Sequence, residues 1–142
     1  MNDILKLNAV EASAALQKGD TSSVELTKAY LAAADATAAL NNYVTLCEDK
    51  ALEMAQQSDK RRADGRARPL EGLPIGVKDL FCTSGVKTTA CSDILRGFVP
   101  TYESTVTTKL WAAGGVMLGK LNCDELAMGS ANETSVFGPA VN

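Results

Sequence analysis

The chain contains no histidine. The side chain that most often moves protons near neutral pH is therefore missing, and with it the commonest transition-metal ligand. Long hydrophobic runs are missing too. No window approaches the roughly eighteen apolar residues of a membrane helix, and the opening Met1-Asn2-Asp3-Ile4-Leu5-Lys6 lacks the basic and apolar regions of a signal peptide. A cytoplasmic chain without membrane contact is the expectation. Cys47, Cys82, Cys91 and Cys123 are widely spaced with no CxxC pair, so neither a zinc cluster nor a redox motif is indicated, and reduced, mostly buried thiols are expected. No GxGxxG dinucleotide fingerprint occurs. Basic residues are in slight deficit, 14 Lys+Arg against 17 Asp+Glu, and the net charge of -3 argues against gripping nucleic acid through the chain's own broad field.

What is present fits one globular domain: 142 residues, 46% of them hydrophobic. Residues 1–65 read as mainly helical and 66–142 as the start of an α/β core, with no separate domains. Asn8 can cap a helix holding Val10, Ala14 and Leu16, which Gly19-Asp20 ends. Thr21 or Ser22 caps a second, with Val24, Leu26, Tyr30, Leu31 and Ala34, and Ser22 with Glu25 three residues on matches a capping box. Asn41-Asn42 breaks the pattern before a short strand candidate, Tyr43-Val44-Thr45-Leu46. A helix over about 49–62 follows, with Ala51, Leu52, Met54 and Ala55 on its apolar side.

Lys60, Arg61, Arg62, Arg66 and Arg68 then crowd together, interrupted by Asp64 and bounded by Asp59 and Pro69. A solvated connector is the stronger reading of this segment, a phosphate-contacting loop the weaker. Residues 82–100 are rich in small polar punctuation and read as a long irregular loop, a class that tends to be functional. A helix from near Ser104 to Ala113, with Val106, Leu110 and Ala113 on one side, ends at Gly114-Gly115. Val116-Met117-Leu118-Gly119-Lys120-Leu121 looks like a buried strand. Strand, crossover helix and strand together predict a βαβ unit with parallel strands.

Residues 114–120 spell GxxxxGK, yet Leu121 follows where a phosphate-binding loop needs Ser or Thr, and the pattern runs from a helix end into a strand, the reverse of what phosphate cradling requires. Asp124 and Glu125 are adjacent and cannot share a helix face; no metal site is expected.

Two places remain for chemistry. Gly72-Leu73-Pro74-Ile75-Gly76-Val77-Lys78-Asp79-Leu80-Phe81 is an apolar strand candidate with a lysine set into its end. Burying an ammonium among apolar neighbours makes its neutral, basic form accessible, and in a chain without histidine Lys78 becomes the leading candidate base. On spacing alone, a lysine that snorkels to water or pairs with Asp79 is the commoner outcome. The second place is Leu121-Asn122-Cys123-Asp124-Glu125-Leu126-Ala127-Met128-Gly129-Ser130-Ala131-Asn132-Glu133-Thr134, dense in small and hydrogen-bonding residues. Ligands of open α/β sheets bind beyond the carboxyl ends of strands, so neighbouring parallel strands would bring Lys78 and the Met128-Gly129-Ser130 turn to one edge. Ser130 in isolation is more commonly a turn or cap hydroxyl.

The succession of Leu73-Pro74-Ile75-Gly76-Val77-Lys78-Asp79, Thr88-Thr89, Ala112-Ala113-Gly114-Gly115-Val116-Met117-Leu118-Gly119-Lys120-Leu121-Asn122 and Asp124-Glu125-Leu126-Ala127-Met128-Gly129-Ser130 resembles the amidase signature family. Within it, the run continuing to Asn132-Glu133-Thr134-Ser135 is most similar to the A-type subunits of tRNA-dependent amidotransferases. The resemblance covers nearly the whole chain in order. It implies the first part of a mixed, largely parallel sheet covered by helices, preceded by N-terminal helices.

It also implies glutamine hydrolysis by a Ser-cisSer-Lys triad, with Lys78 receiving the nucleophile's proton through a bridging serine and Met128, Gly129 and Ser130 lining the substrate pocket. The ammonia would serve B- and C-type partner subunits, where ATP and Mg²⁺ convert Glu-tRNA(Gln) to Gln-tRNA(Gln); this chain would need no cofactor and meet tRNA only through the complex. In the family both serines lie in a Gly/Ser-rich segment further along, and no Gly-Gly-Ser-Ser-Gly-Gly run occurs here. The expectation is an N-terminal portion, inactive alone, with an exposed strand edge. Another amidase of the family acting on a small amide, and a non-catalytic remnant or partner-binding module, are the alternatives.

Overall fold

A computed structural model of the chain describes residues 3–141. Met1, Asn2 and Asn142, which belong to stretches read above, lie outside the described residues. The order of elements is α1 (Ala9–Lys18), α2 (Ser23–Ala36), β1 (Tyr43–Leu46), α3 (Glu48–Ala63), β2 (Pro74–Lys78), α4 (Thr105–Ala112) and β3 (Val116–Leu121), with short 3-10 helices between them. Among the described residues no helix is long and apolar enough to cross a membrane.

Local chemistry starts and stops these elements. Ser22 Oγ accepts the Glu25 amide while the Glu25 carboxylate accepts the Ser22 amide, the expected capping box. Asn8 and Glu11 form a second box, where the sequence pattern indicates only a single cap. Glycine at φ +79° closes α1 at Gly19, and Gly114 at φ +99° follows α4, a left-handed conformation that suits a residue without Cβ. Gly114 also allows a close approach: a Cβ there would lie 2.7 Å from the Glu71 Cα.

The sheet is mixed, in the order β1-β3-β2. β2 and β3 are parallel, with Lys78 opposite Leu121, and the chain crosses between them through α4 as the βαβ reading anticipates. β1 pairs antiparallel on the other side of β3, so a strand from the helical half of the chain completes the sheet. As the central strand, β3 is buried along nearly its whole length. Gly119 permits the approach of β1, because a Cβ there would meet the Thr45 carbonyl oxygen at 2.3 Å. Leu31, Ala51, Ala55, Val116 and Leu118 form the core between helices and sheet; Ala12, Leu16, Leu26 and Leu73 form a second cluster under α1.

Three expectations about faces and surfaces need correcting. Val10 is 79% exposed, and Ala12 with Leu16 makes the inner face of α1. In α4 the buried side chain is Thr107, whose hydroxyl donates to the Cys82 carbonyl, while Val106 is exposed. The basic segment, which begins in the last turn of α3, is only partly a solvated connector. Arg61 Nε, Arg68 Nε and Ser58 Oγ donate to the carboxylate of Glu71, which has no exposed surface, and Arg62 donates to its carbonyl. Burial pushes the Glu71 carboxyl up, but the hydrogen bonds from Arg68, Ser58 and Arg61 outweigh it and hold it at about 2. Arg66 pairs with Asp64 in the open and fits the solvated reading.

Candidate active site

β2 and β3 run in the same direction, so their carboxyl ends and the loops that follow share one edge of the sheet. Lys78 is the last residue of β2 and is exposed there. The placement at the edge matches expectation, and the side chain reaches water, the outcome that spacing alone favours, while the preceding Val77 takes the inward position. Burial and the neighbouring Cys91 push the Cys123 thiol up to about 12, and the Lys78 ammonium offsets only a small part of that rise; no hydrogen bond or ion pair occupies Lys78 among the described residues.

The lysine that is buried is Lys120, in the middle strand and without exposed surface. Its Nζ donates to the Phe81 carbonyl at 2.5 Å, Thr88 Oγ1 at 3.0 Å and Thr83 Oγ1 at 3.3 Å. Burial pushes its pKa down, and the charge of Asp79 is the foremost influence in the other direction. Lys120 thus pins the loop that follows Lys78 onto the sheet. Asp79, also fully buried, fastens the next part of that loop: its Oδ2 accepts the Thr89 hydroxyl at 2.5 Å and the Thr89 amide at 3.0 Å. Its Oδ1 has no hydrogen-bond donor among the described residues. The adjacent Thr88 and Thr89 therefore serve two buried charges of opposite sign.

The second loop is organised by Asp124. Its carboxylate accepts the amides of Asn132 and Glu133 at 2.8 Å and of Thr134 at 3.1 Å, together with the Thr134 hydroxyl. Backbone hydrogen bonds from Thr134 and Asn132 lead the influences that draw this carboxyl down to about 2. The Met128-Gly129-Ser130 turn is spanned by these bonds, and Gly129 packs so closely on Asp124 that a Cβ would sit 2.5 Å from its Cγ. Met128, Gly129 and Ser130 are exposed; Ser130 makes no hydrogen bond to Lys78 among the described residues.

The two loops are laced together. Ser92 Oγ donates to Glu125, the Leu126 amide to the Ala90 carbonyl, and the Val136 amide to the Cys91 carbonyl. Five residues in these loops, Ala90, Cys91, Leu126, Ala127 and Asn132, hold positive φ without being glycine. Backbone held in this way is characteristic of sites whose geometry is imposed by their surroundings. Sequence reasoning missed Lys120, Asp79 and Asp124 as organisers. The signal for Lys120 was available, a lone cation inside a six-residue strand. Among the described residues, no three metal-ligating side chains converge.

The helix-covered mixed sheet has solved counterparts. The peptide amidase of Stenotrophomonas maltophilia superposes with a TM-score of 0.84 and 31% sequence identity, over 95% of this chain and 29% of that one. The architecture is therefore the α/β fold of amidases. The family model described as Amidase matches residues 25–142, and the chain belongs to the amidase family. It is 59% identical over 142 residues to the A-type subunit of the glutamyl-tRNA(Gln) amidotransferase of Parvibaculum lavamentivorans, a match that covers 100% of this chain and 29% of that protein. It is 65% identical over 120 residues to the protein of the same name from Caulobacter vibrioides, covering 84% and 24%. The chain thus spans less than a third of the length of these curated relatives.

Proposed function

We propose that this chain is the lysine-bearing portion of the glutamine-hydrolysing component of an amidotransferase. The observation that carries the reading is Lys78, exposed at the carboxyl end of β2 and flanked by a loop that two buried charges hold in place. It is supported by identities of 54–65% to A-type subunits of glutamyl-tRNA(Gln) amidotransferases. Glutamine is the substrate. A serine attacks its side-chain amide, a second serine relays the proton, and Lys78 receives it; ammonia leaves, and water resolves the acyl-enzyme. Met128, Gly129 and Ser130 line the pocket for glutamine.

A lysine becomes a base when its ammonium is removed from water or placed near other cations. Lys78 stands in the open here, so the segment that brings the serines must also cover it. Residues 1–142 alone are accordingly inactive. ATP and Mg²⁺ act in a partner that activates Glu-tRNA(Gln), and tRNA meets this chain only through the assembled cytoplasmic complex.

The test grafts residues 1–142 in place of the matching residues of the Parvibaculum protein, assembled with its partner subunits. Lys78→Ala should abolish glutamine-dependent transamidation and leave transamidation driven by added ammonium intact. Retention of the glutamine-dependent reaction would remove Lys78 from the mechanism. The likeness to a peptide amidase keeps a second reading in play, hydrolysis of a small amide without tRNA. Under it, the grafted protein would cleave peptide amides with no partner present.

A further inference from the structure

Cys91 and Cys123 face each other inside the lacing between the two loops. Their sulfurs are 3.6 Å apart, both residues are buried, and the Cys123 amide donates to Cys91 Sγ at 3.3 Å. Each lies in a segment already fixed by other contacts. The Cys91 amide donates to Thr89 Oγ1, and its carbonyl accepts the Val136 amide; Cys123 is followed directly by Asp124 and its cage of amides. The remaining thiols are not so paired: Cys82 meets the Tyr102 hydroxyl, and Cys47 stands at the start of α3.

We propose that Cys91 and Cys123 are a modification site, a dithiol that small disulfides convert to an intramolecular disulfide tying the loop after β2 to the loop after β3. A disulfide has a sulfur separation of about 2.05 Å, so closure asks for an approach of about 1.5 Å. The chemistry is exchange. The Cys123 thiolate attacks one sulfur of a small disulfide such as oxidised glutathione, forming a mixed disulfide and releasing one glutathione thiolate. The Cys91 thiolate then attacks Cys123 Sγ, forming the intramolecular bond and expelling the second glutathione thiolate. The protein pair is oxidised by two electrons, glutathione disulfide is reduced, and the two protons end on the released thiols. Cys123 retains 6% exposure and Cys91 none, which makes Cys123 the point of entry; burial and the adjacent Cys91 push the Cys123 thiol up to about 12, so its thiolate is scarce and the reaction slow. The link would clamp the two loops that flank Lys78 and precede the Met128-Gly129-Ser130 turn.

The test incubates the folded 142-residue chain with oxidised glutathione, caps remaining thiols, and reads intact mass and digested peptides. The expected product has lost two hydrogen atoms through one peptide pair joining Cys91 to Cys123, reversed by dithiothreitol. Cys91→Ser should instead leave a persistent glutathione adduct on Cys123. Should that variant not fold, a Cys47→Ser, Cys82→Ser double variant retains the pair alone and must show the same two-hydrogen loss. A persistent glutathione adduct on Cys123 of the unaltered chain would overturn the proposal. So would a bridge between any other two cysteines, or an unreacted pair after Cys82 has been modified.

Discussion

Glu71→Gln is the sharpest test of how this fold handles charge. The carboxylate has no exposed surface and accepts Ser58 Oγ at 2.6 Å, Arg68 Nε at 2.6 Å and Arg61 Nε at 3.0 Å. Its carboxyl group is drawn from the ordinary 4.5 to about 2. At 1.36 kcal/mol for each pKa unit, that difference corresponds to about 3 kcal/mol of folding stability at neutral pH. The range of about 3–5 kcal/mol for breaking one side of a buried ion pair agrees. Because the folded value lies below the unfolded one, the stabilisation is complete above the unfolded pKa of about 4.3 and is lost as pH falls through about 2. Urea unfolding of the 142-residue chain at pH 7 should show Glu71→Gln less stable by about 3 kcal/mol, since glutamine keeps the shape but presents an amide to two guanidinium groups. Between pH 5 and pH 2 the variant should lose less stability than the unaltered chain. The residual slope would reflect Asp124, whose carboxyl is also lowered to about 2. A variant within about 0.5 kcal/mol of the unaltered chain at pH 7, the scatter of neutral surface changes, would refute the assignment of Glu71 as a buried, paired carboxylate.

Lys120→Met should release the loop after Lys78: the Phe81 carbonyl loses its donor, a loss of about 1–3 kcal/mol, and amide exchange over residues 81–90 should quicken. Gly119→Ala should destabilise the chain by about 1–3 kcal/mol, read by urea unfolding, because the new Cβ meets the Thr45 carbonyl and pries β1 from β3. Gly129→Ala should displace the Asp124 carboxylate and accelerate exchange of the amides of Asn132, Glu133 and Thr134, leaving helix amides unchanged.

Elements whose cause is local were legible in the sequence. The Ser22 and Asn8 caps, the four-residue strand at Tyr43–Leu46, the helix near residues 49–62 and the parallel pair about α4 all follow from periodicity, capping and turn chemistry within a few residues. The motif order also carried the family and drew Lys78 to the edge where it stands. Charged side chains behaved differently. Lys78 is exposed, as spacing alone favours, whereas Lys120, a lone cation in an apolar strand, and Glu71, which no local pattern marked as an inner residue, are enclosed.

The physical reason is that burying a charge depends on partners arriving from elsewhere. Lys120 is tolerable inside because Phe81, Thr83 and Thr88 reach it from a loop more than thirty residues earlier. Glu71 is tolerable because α3 delivers Ser58 and Arg61 to it. The approach of Cys91 to Cys123 likewise depends on two loops meeting at one sheet edge. By itself the sequence determined where helices and strands begin and end and which family they build. Tertiary structure alone decided which ions lie inside, because only the folded chain brings their counter-charges and hydrogen-bond partners within reach.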